Sequence, residues 1–309
     1  MIDIFLRTLP FFALIALGYG AARARFFSEE ATAHLTKFVF YFALSAMLLR
    51  FSANLSVAEI FDARLASAYL WGTAAAYGVA MGWALWRKTD LPTAAIEAQC
   101  AAIGNTGFLG VPMLALLFGQ EALGPMILVL SIDLIVFSSA LTILVTASRE
   151  GALSGRLVWT VGLGLLKNPM IVSIALGLSI SGAGLPVPDV ANEFLTLLGN
   201  AATPGALFAI GASLAGKSAE RLAIAGWLSF AKLILHPAFV ALGVYVIFPV
   251  DSFRASVLVS AAALPVAGNV FMLAQHYGIA PQRVSAAILI STALSIVTVS
   301  VVIGLVMEG

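Results

Sequence analysis

Long apolar segments follow one another along almost the whole chain, and they constrain its fold more than any other feature. Taking about 20 residues for a membrane-crossing helix, we predict ten spans, near residues 3–24, 32–52, 64–86, 91–118, 123–146, 158–181, 190–215, 222–248, 253–277 and 281–306. Charged residues make up only 10% of the 309 residues, against about 25% in a typical soluble domain. The sequence therefore predicts an all-α polytopic membrane protein.

Two of these spans carry helix-breaking residues in their middle. Span four is interrupted within residues 101–119, which include Pro112, and span nine within residues 262–278, which include Pro265. Proline removes a backbone donor and clashes with the preceding turn. Because hydrocarbon does not tolerate unpaired backbone groups, a broken span must lie inside protein or beside a wet cavity. Paired broken spans in two halves of a chain indicate the binding site of a transporter.

The two halves of the chain align without a gap when they are shifted by 159 residues. Residues 15–18 (Ile-Ala-Leu-Gly) then meet residues 174–177, and residues 113–115 (Met-Leu-Ala) meet residues 272–274, although Pro112 and Pro265 do not coincide. Each half holds five spans, an odd number, so the second half enters the membrane upside down. We expect two inverted five-helix repeats, residues 1–155 and 156–309, with spans four and nine as the equivalent broken pair.

Lysine and arginine residues are distributed unevenly between the two sides of the predicted membrane. With the N-terminus outside, the inner loops and helix ends hold Arg23, Arg25, Arg87, Lys88, Arg149, Arg156, Lys167, Lys217, Arg221 and Arg283, and the outer ones hold Arg50, Arg64 and Arg254. Positive charge accumulates on the cytoplasmic side of membrane proteins. This bias predicts that both termini are extracytoplasmic.

Composition and motifs exclude several classes of function. The net charge is +1, and no basic patch is present that would bind nucleic acid. Cys100 is the only cysteine, so neither an intramolecular disulfide nor a thiolate metal cluster can form. The sequence contains no nucleotide-binding loop, serine elbow or metal-binding spacing. We therefore expect no enzyme activity, no cofactor and no metal site.

Several motifs together give the chain a likeness to a known family. They are residues 104–112 (Gly-Asn-Thr-Gly-Phe-Leu-Gly-Val-Pro), residues 264–277 around Leu-Pro, Phe271, Ala274 and Tyr277, residues 37–41, residues 167–169 and residues 203–208 with Gly211. With these motifs the chain resembles the auxin efflux carrier family, which includes plant PIN proteins and bacterial small-acid carriers. Ser45 departs from the pattern, since the family often has a proline there that matches Pro204.

The resemblance implies a fold and a mode of action. The family has ten spans in two inverted repeats, a fold that is similar to that of bile-acid sodium symporters. Spans 1, 2, 6 and 7 would form a scaffold, and spans 3–5 and 8–10 a moving unit in which helices four and nine cross at their prolines. Transport would then be elevator-like alternating access, and a bacterial inner (plasma) membrane would be the location.

The candidate substrate-binding residues are small or polar residues beside the two breaks: Gly104, Asn105, Thr106, Pro112, Pro265, Gly268, Asn269 and Gln275. At such breaks, the N-terminal ends of half-helices present free N–H groups that suit an anion. The amides and the hydroxyl would add hydrogen bonds, and the glycines would let the backbone approach a ligand closely. The alternative is that these residues only satisfy the broken backbone.

Three ionisable residues inside the spans are candidates for ion coupling or site polarity. Asp133 lies in the middle of span five, where a carboxylate is costly and points to function. Lys232 and His236 lie one turn apart on span eight. Lys232 can neutralise Asp133 or steer a carboxylate, and His236 can titrate near neutral pH. Purely structural roles stay open: pairing of Asp133 with Lys232, a kink at His236, and snorkelling of Lys232.

The sequence thus predicts a secondary active transporter of a small organic anion. The family resemblance supplies the substrate class, a mono- or dicarboxylate that is auxin-like or malonate-like, whereas the residues supply a polar site at mid-membrane. The expected partners are this anion, the lipid bilayer and a coupling proton or sodium ion, and a homodimer is left open. The alternatives are a sodium-coupled organic-anion symporter of the bile-acid type and a membrane receptor that binds its ligand without transport.

Overall fold

The computed structural model describes residues 2–55, 62–150, 155–216 and 222–308, and every regular element among them is a helix. The helices are α1 (Ile2–Arg23), α2 (Glu29–Asn54), α3 (Ala63–Trp86), α4 (Leu91–Ala102), α5 (Thr106–Phe118), α6 (Gln120–Ser148), α7 (Gly155–Lys167), α8 (Pro169–Gly182), α9 (Asp189–Ala215), α10 (Leu222–Ile247), α11 (Ser252–Ala262), α12 (Gly268–Tyr277) and α13 (Pro281–Glu308). The predicted all-α class is confirmed for these residues. Lys217 and Arg221, two members of the predicted inner basic set, lie outside them.

Six helices in the described ranges are long and apolar enough to cross a bilayer, namely α1, α2, α6, α9, α10 and α13. A seventh crossing results if α7 and α8, which bend by 76° at Asn168, are taken as one broken span. Helix α3 has 24 residues and is therefore about 36 Å long, against a hydrocarbon core of about 30 Å. The chain is a polytopic membrane protein.

Short polar residues mark where several helices begin. The carboxylates of Asp62, Asp90 and Asp251 accept first-turn N–H groups of α3, α4 and α11. The side chain of Asn168 caps α8 in the same way, by accepting the N–H of Met170 at 3.0 Å. These caps satisfy donors that have no partner inside the helix. The polar linkers of the sequence thus fix the helix boundaries.

One group of helices consists of α1, α2, α8 and α9, and glycines bring their backbones close together. A Cβ atom at Gly211 would overlap the carbonyl group of Ile15, and a Cβ atom at Gly18 would overlap the backbone of Phe208, which locks α1 onto α9. In the same way, Gly177 lies against the carbonyl of Leu49, where α8 packs on α2. Small residues at such contacts let membrane helices pack tightly.

A second group of helices consists of α3, α4, α5, α6, α10, α11, α12 and α13. Here α3 packs on α10 through Gly72, which faces Val240, and Gly243, which faces the carbonyl of Ala68. Helix α13 packs on both α10 and α11, and α4 packs on α3 and α6. The two groups touch, among other places, where α1 meets α13. The candidate site lies where these two groups face each other.

Candidate functional site

The two predicted helix breaks lie against each other in the middle of the molecule. The backbone N–H of Asn105 donates to the carbonyl of Pro265 at 2.8 Å, and the N–H of Ala267 donates to the carbonyl of Ile103 at 3.1 Å. Gly104 thereby pairs with Val266 as in an antiparallel ribbon. The backbone groups that each break leaves unpaired are thus satisfied by the other break, as an apolar environment requires.

The candidate residues of span four fit closely into this crossing. A Cβ atom at Gly104 would lie 3.2 Å from Nζ of Lys232, and one at Gly110 would lie 2.5 Å from a methyl group of Leu264. Asn105 is buried, and its backbone carbonyl accepts the N–H groups of Leu109 and Gly110. Both glycines therefore pack tightly against neighbouring side chains.

Pro112 and Pro265 occupy different positions relative to the crossing. Pro112 lies within α5, where the π-helical turn Thr106–Gly110 passes into the regular α-helix, and it is half-buried. Pro265 is buried and takes part in the crossing itself through its carbonyl. The two prolines therefore interrupt their spans in different ways.

Asp133 lies beside the crossing and is 2% exposed. It begins a π-helical turn of α6, Asp133–Phe137, an irregularity that is frequent at functional sites. The hydroxyl of Tyr69 donates to its Oδ1 at 2.9 Å, and the hydroxyl of Thr106 donates to its Oδ2 at 3.4 Å. The carboxylate is therefore linked directly to the break that precedes α5.

Lys232 and His236 are both fully buried on α10. Nζ of Lys232 donates to the carbonyl of Ala262 at 2.5 Å and lies 3.0 Å from Nδ1 of His236. Nε2 of His236 lies 3.0 Å from the hydroxyl of Thr73. Among the described residues no carboxylate lies within 4.0 Å of this amino group, so Lys232 and Asp133 share a polar cluster without a direct ion pair. Complete burial also argues against snorkelling of Lys232.

A cavity of about 520 Å³ opens between the two helix groups. Helices α2, α7 and α8 line one side of it, and α6 and α12 line the other. Its polar lining consists of Tyr41, Ser138, Ser139, Thr142, Lys167, Asn168, Asn269, His276 and Tyr277. Lys167 and His276 are exposed and so give the mouth of the cavity its ionisable groups.

Two buried polar atoms of the cavity lining are unpaired. Oδ1 of Asn269 and Oγ of Ser139 have no hydrogen-bond partner among the described residues. Asn269 lies in the first turn of α12, whose N-cap position is held by Ala267, a residue with no side-chain acceptor. The positive end of α12 therefore opens beside the cavity without a side-chain cap.

The structure distributes the predicted site residues over three places. Gly104, Thr106, Asp133, Lys232 and His236 surround the crossing, and Asn269 lines the cavity with Gly268 next to it. Gln275, by contrast, is exposed on α12 and is not among the cavity-lining residues.

Sequence reasoning missed the position of Lys167, which it placed among the inner loops and helix ends, and it did not single out His276 as a candidate ligand. The signal for Lys167 was present, because residues 167–169 break span six and belong to the family motifs. No comparable signal marked His276.

A family profile described as "Membrane transport protein" matches residues 3–303. The chain belongs to this family. The resemblance to auxin efflux carriers is thereby confirmed, and this membrane transport protein is a transporter and not an enzyme. Its substrate is a small molecule, and its setting is the lipid bilayer.

Relatives of this membrane transport protein cover almost its full length. It is 31% identical to a protein of Rhizobium meliloti (strain 1021) named "Putative malonate transporter", over 97% of this chain and 95% of that protein. It is 26% identical to the "Uncharacterized transporter YfdV" of Escherichia coli (strain K12), over 94% and 93% of the two chains. An "Uncharacterized transporter" of Methanothermobacter thermautotrophicus is also 26% identical, over 94% of both chains.

Proposed function

We propose that this transporter is a secondary active carrier of a small organic anion with one or two carboxylates, and that it works by elevator-type alternating access. The observation that carries the proposal is the cavity of about 520 Å³ between the two helix groups, with two unpaired buried polar atoms in its wall. A buried polar atom without a partner is costly. A carboxylate that accepts a hydrogen bond from the hydroxyl of Ser139 would offset this cost at Ser139, and the amide N–H₂ of Asn269 can donate to the same ligand.

The charges around the cavity favour an anion. Lys167 and His276 lie at its mouth, and neither aspartate nor glutamate is among the residues that line it. The cavity is also lined by Asn168, the N-cap residue of α8, and by Asn269 in the first turn of α12, and helix N-termini attract negative charge. The name of the Rhizobium meliloti relative makes malonate the first dicarboxylate to test.

The helix contacts support two inverted repeats. Gly18 lies against Phe208, and Gly177 lies against Leu49. The two glycines are related by the shift of 159 residues that aligns the halves of the sequence, and so are their two neighbours. Ten spans result if α3 and each of the broken pairs α4/α5, α7/α8 and α11/α12 cross the membrane once. The group of α1, α2, α8 and α9, together with α7, would then be the scaffold, and the second group the moving unit.

The predicted orientation gives the cavity a side of the membrane. With both termini extracytoplasmic, α6 and α12 end on the cytoplasmic side, and α7 begins there. The cavity-lining residues Thr142, Lys167 and Tyr277 lie in those halves of their spans. We therefore assign this arrangement to the inward-facing state of the carrier in a bacterial inner membrane.

Asp133 is our proposed coupling residue. The residues Leu134 and Ser138 that follow it line the cavity, and the hydroxyl of Ser138 donates to the carbonyl of Asp133 at 3.2 Å. Thr106 connects the carboxylate to the crossing. A proton that enters through the cavity would thus reach a carboxylate that contacts the broken span.

Uptake into proteoliposomes tests this function. The purified protein is reconstituted, labelled malonate, other small carboxylates and indole acetate are offered one at a time, and pH and sodium gradients are imposed separately. Saturable accumulation driven by the pH gradient, absent from protein-free liposomes, is the expected result. Accumulation that requires sodium would favour the symporter alternative, and ligand binding without accumulation would favour a receptor. No uptake of any carboxylate would refute the proposed substrate class.

A further inference from the structure

A buried amino group lies at the C-terminal end of one broken half-helix. Lys232 is 0% exposed, and its Nζ donates to the carbonyl of Ala262 at 2.5 Å. Ala262 is the last residue of α11. The last four carbonyls of a helix lack partners inside it and carry partial negative charge. The amino group therefore lies where a positive charge is stabilised.

The surroundings hold this group in place and define its role as a donor. An ammonium group can only donate hydrogen bonds, so Nδ1 of a neutral His236 accepts from it at 3.0 Å. The remaining N–H, at Nε2, then donates to the hydroxyl of Thr73 at 3.0 Å. Gly104 closes the opposite side, where a Cβ atom would lie 3.2 Å from Nζ and 3.3 Å from Cε. The amino end of the Lys232 side chain is thus fully buried and tightly packed against Gly104.

Transporters with discontinuous helices use the same kind of position for another purpose. In them, unwound carbonyls and the C-terminal ends of half-helices coordinate the coupling cation. Here the amino group of Lys232 takes that position. The carboxylate of Asp133 does not pair with it but accepts hydrogen bonds from Tyr69 and Thr106.

We propose that Lys232 is a tethered cation that replaces a coupling sodium ion at the C-terminal end of α11. The inference rests on the proposed transport function and deepens it, because it assigns sodium-independent coupling to the same site. The positive charge stays with the protein through the whole cycle. A sodium ion therefore has neither a vacant site at the crossing nor a part in the movement of the anion.

Removal of the side chain tests the inference in the full-length protein. Lys232→Ala leaves room for a small cation, whereas Lys232→Met fills the space without a charge. The melting temperature of each purified variant is measured in NaCl, in ethylammonium chloride and in N-methylglucamine chloride at equal ionic strength. A cation that binds only the folded state raises the melting temperature. We expect a saturable rise with sodium or ethylammonium for Lys232→Ala, and none for wild type, Lys232→Met or the exposed control Lys88→Ala.

Uptake of the substrate that the wild type carries provides the second measurement. We expect that Lys232→Ala regains uptake in sodium or ethylammonium and that Lys232→Met does not. The wild-type protein alone can overturn the inference, namely if its melting temperature depends on sodium. A folded Lys232→Ala without any cation response, or a Lys232→Met with normal uptake, would also overturn it.

The melting measurement involves no substrate. If all carboxylates fail in the uptake assay while Lys232→Ala gains a sodium response, the proposed function fails and the tethered cation stands.

Discussion

Asn269 and Gln275 are two amide side chains on the same helix, α12, and the structure assigns them different surroundings. Oδ1 of Asn269 is buried beside the cavity without a partner, whereas Gln275 is exposed outside it. We predict that Asn269→Ala weakens substrate binding and that Gln275→Ala does not. The pair is a matched comparison, because each change removes one amide from one helix.

The magnitude follows from the hydrogen bonds that each state contains. In the folded protein Asn269 Oδ1 makes no hydrogen bond that the substitution could break, so stability should stay within about 0.5 kcal/mol of the wild type or rise. In the substrate complex the amide N–H₂ would donate to a carboxylate, a charged hydrogen bond worth about 1.5–3 kcal/mol. Since about 1.4 kcal/mol corresponds to a factor of ten, the KM should rise roughly ten- to a hundredfold.

Initial uptake rates in proteoliposomes over a range of substrate concentrations provide the KM, and melting temperatures of the purified variants provide the stability. The reasoning is refuted if Asn269→Ala keeps the wild-type KM, since the cavity would then not be the binding site. It is equally refuted if Gln275→Ala raises the KM as much, because exposed amides outside the cavity would then matter.

Three further changes test other parts of the structure. Asp133→Asn keeps an acceptor for the Tyr69 hydroxyl, so it should abolish uptake driven by a pH gradient while the melting temperature stays near normal. Asp133→Leu leaves that hydroxyl buried and unpaired and should cost about 1–3 kcal/mol of stability. Normal pH-driven uptake by Asp133→Asn would remove this carboxylate from the mechanism. Gly211→Ala forces α1 and α9 apart and should lower the stability by about 1–3 kcal/mol. The control Gly78→Ala adds a methyl group in open space on α3, so the stability should stay unchanged or rise by about 0.5–1 kcal/mol. Equal melting temperatures of the two variants would contradict the close packing at Gly211. The pKa of Asp62 is held below its ordinary value, mainly because its carboxylate accepts the N–H of Leu65. The N–H of Arg64 and the Arg254 guanidinium lower the pKa further, and burial opposes them. The stability that this carboxylate contributes is therefore present above its unfolded pKa of about 3.9 and is lost as the pH falls through the lower folded pKa. Asp62→Asn, which retains a capping oxygen, should accordingly lose less melting temperature than the wild type between about pH 5 and pH 3; parallel acid profiles would show that Asp62 contributes no pH-dependent stability.

The sequence located the helix breaks because helix-breaking chemistry is local. Gly104, Asn105 and Pro265 predicted interruptions, and the structure has them at residues 103–105 and 263–267. The register in which the breaks meet was beyond the sequence, since it depends on how helices from the two halves pack. Gly104 pairs with Val266, three positions away from the residue that the gap-free shift would bring opposite it.

The candidate site was only partly visible in the sequence for a related reason. A carboxylate in an apolar span is conspicuous, so Asp133 could be found, whereas Tyr69 looked like any aromatic residue of a membrane helix. The sequence left open whether Lys232 neutralises Asp133 or steers a carboxylate, and in the structure its amino group donates to the carbonyl of Ala262. Backbone acceptors carry no signature in a sequence, because every residue has one. His276 entered the site only through the shape of the cavity.

The crossing is held by two hydrogen bonds between main-chain atoms, Asn105 to Pro265 and Ala267 to Ile103. Such bonds do not depend on which side chains the four residues carry. Substitutions that respect the backbone geometry can therefore accumulate around the crossing while the junction between the two halves persists. Homologous transporters that share this crossing can therefore change substrate without a change of fold, because side chains recognise the substrate and main-chain atoms hold the crossing together.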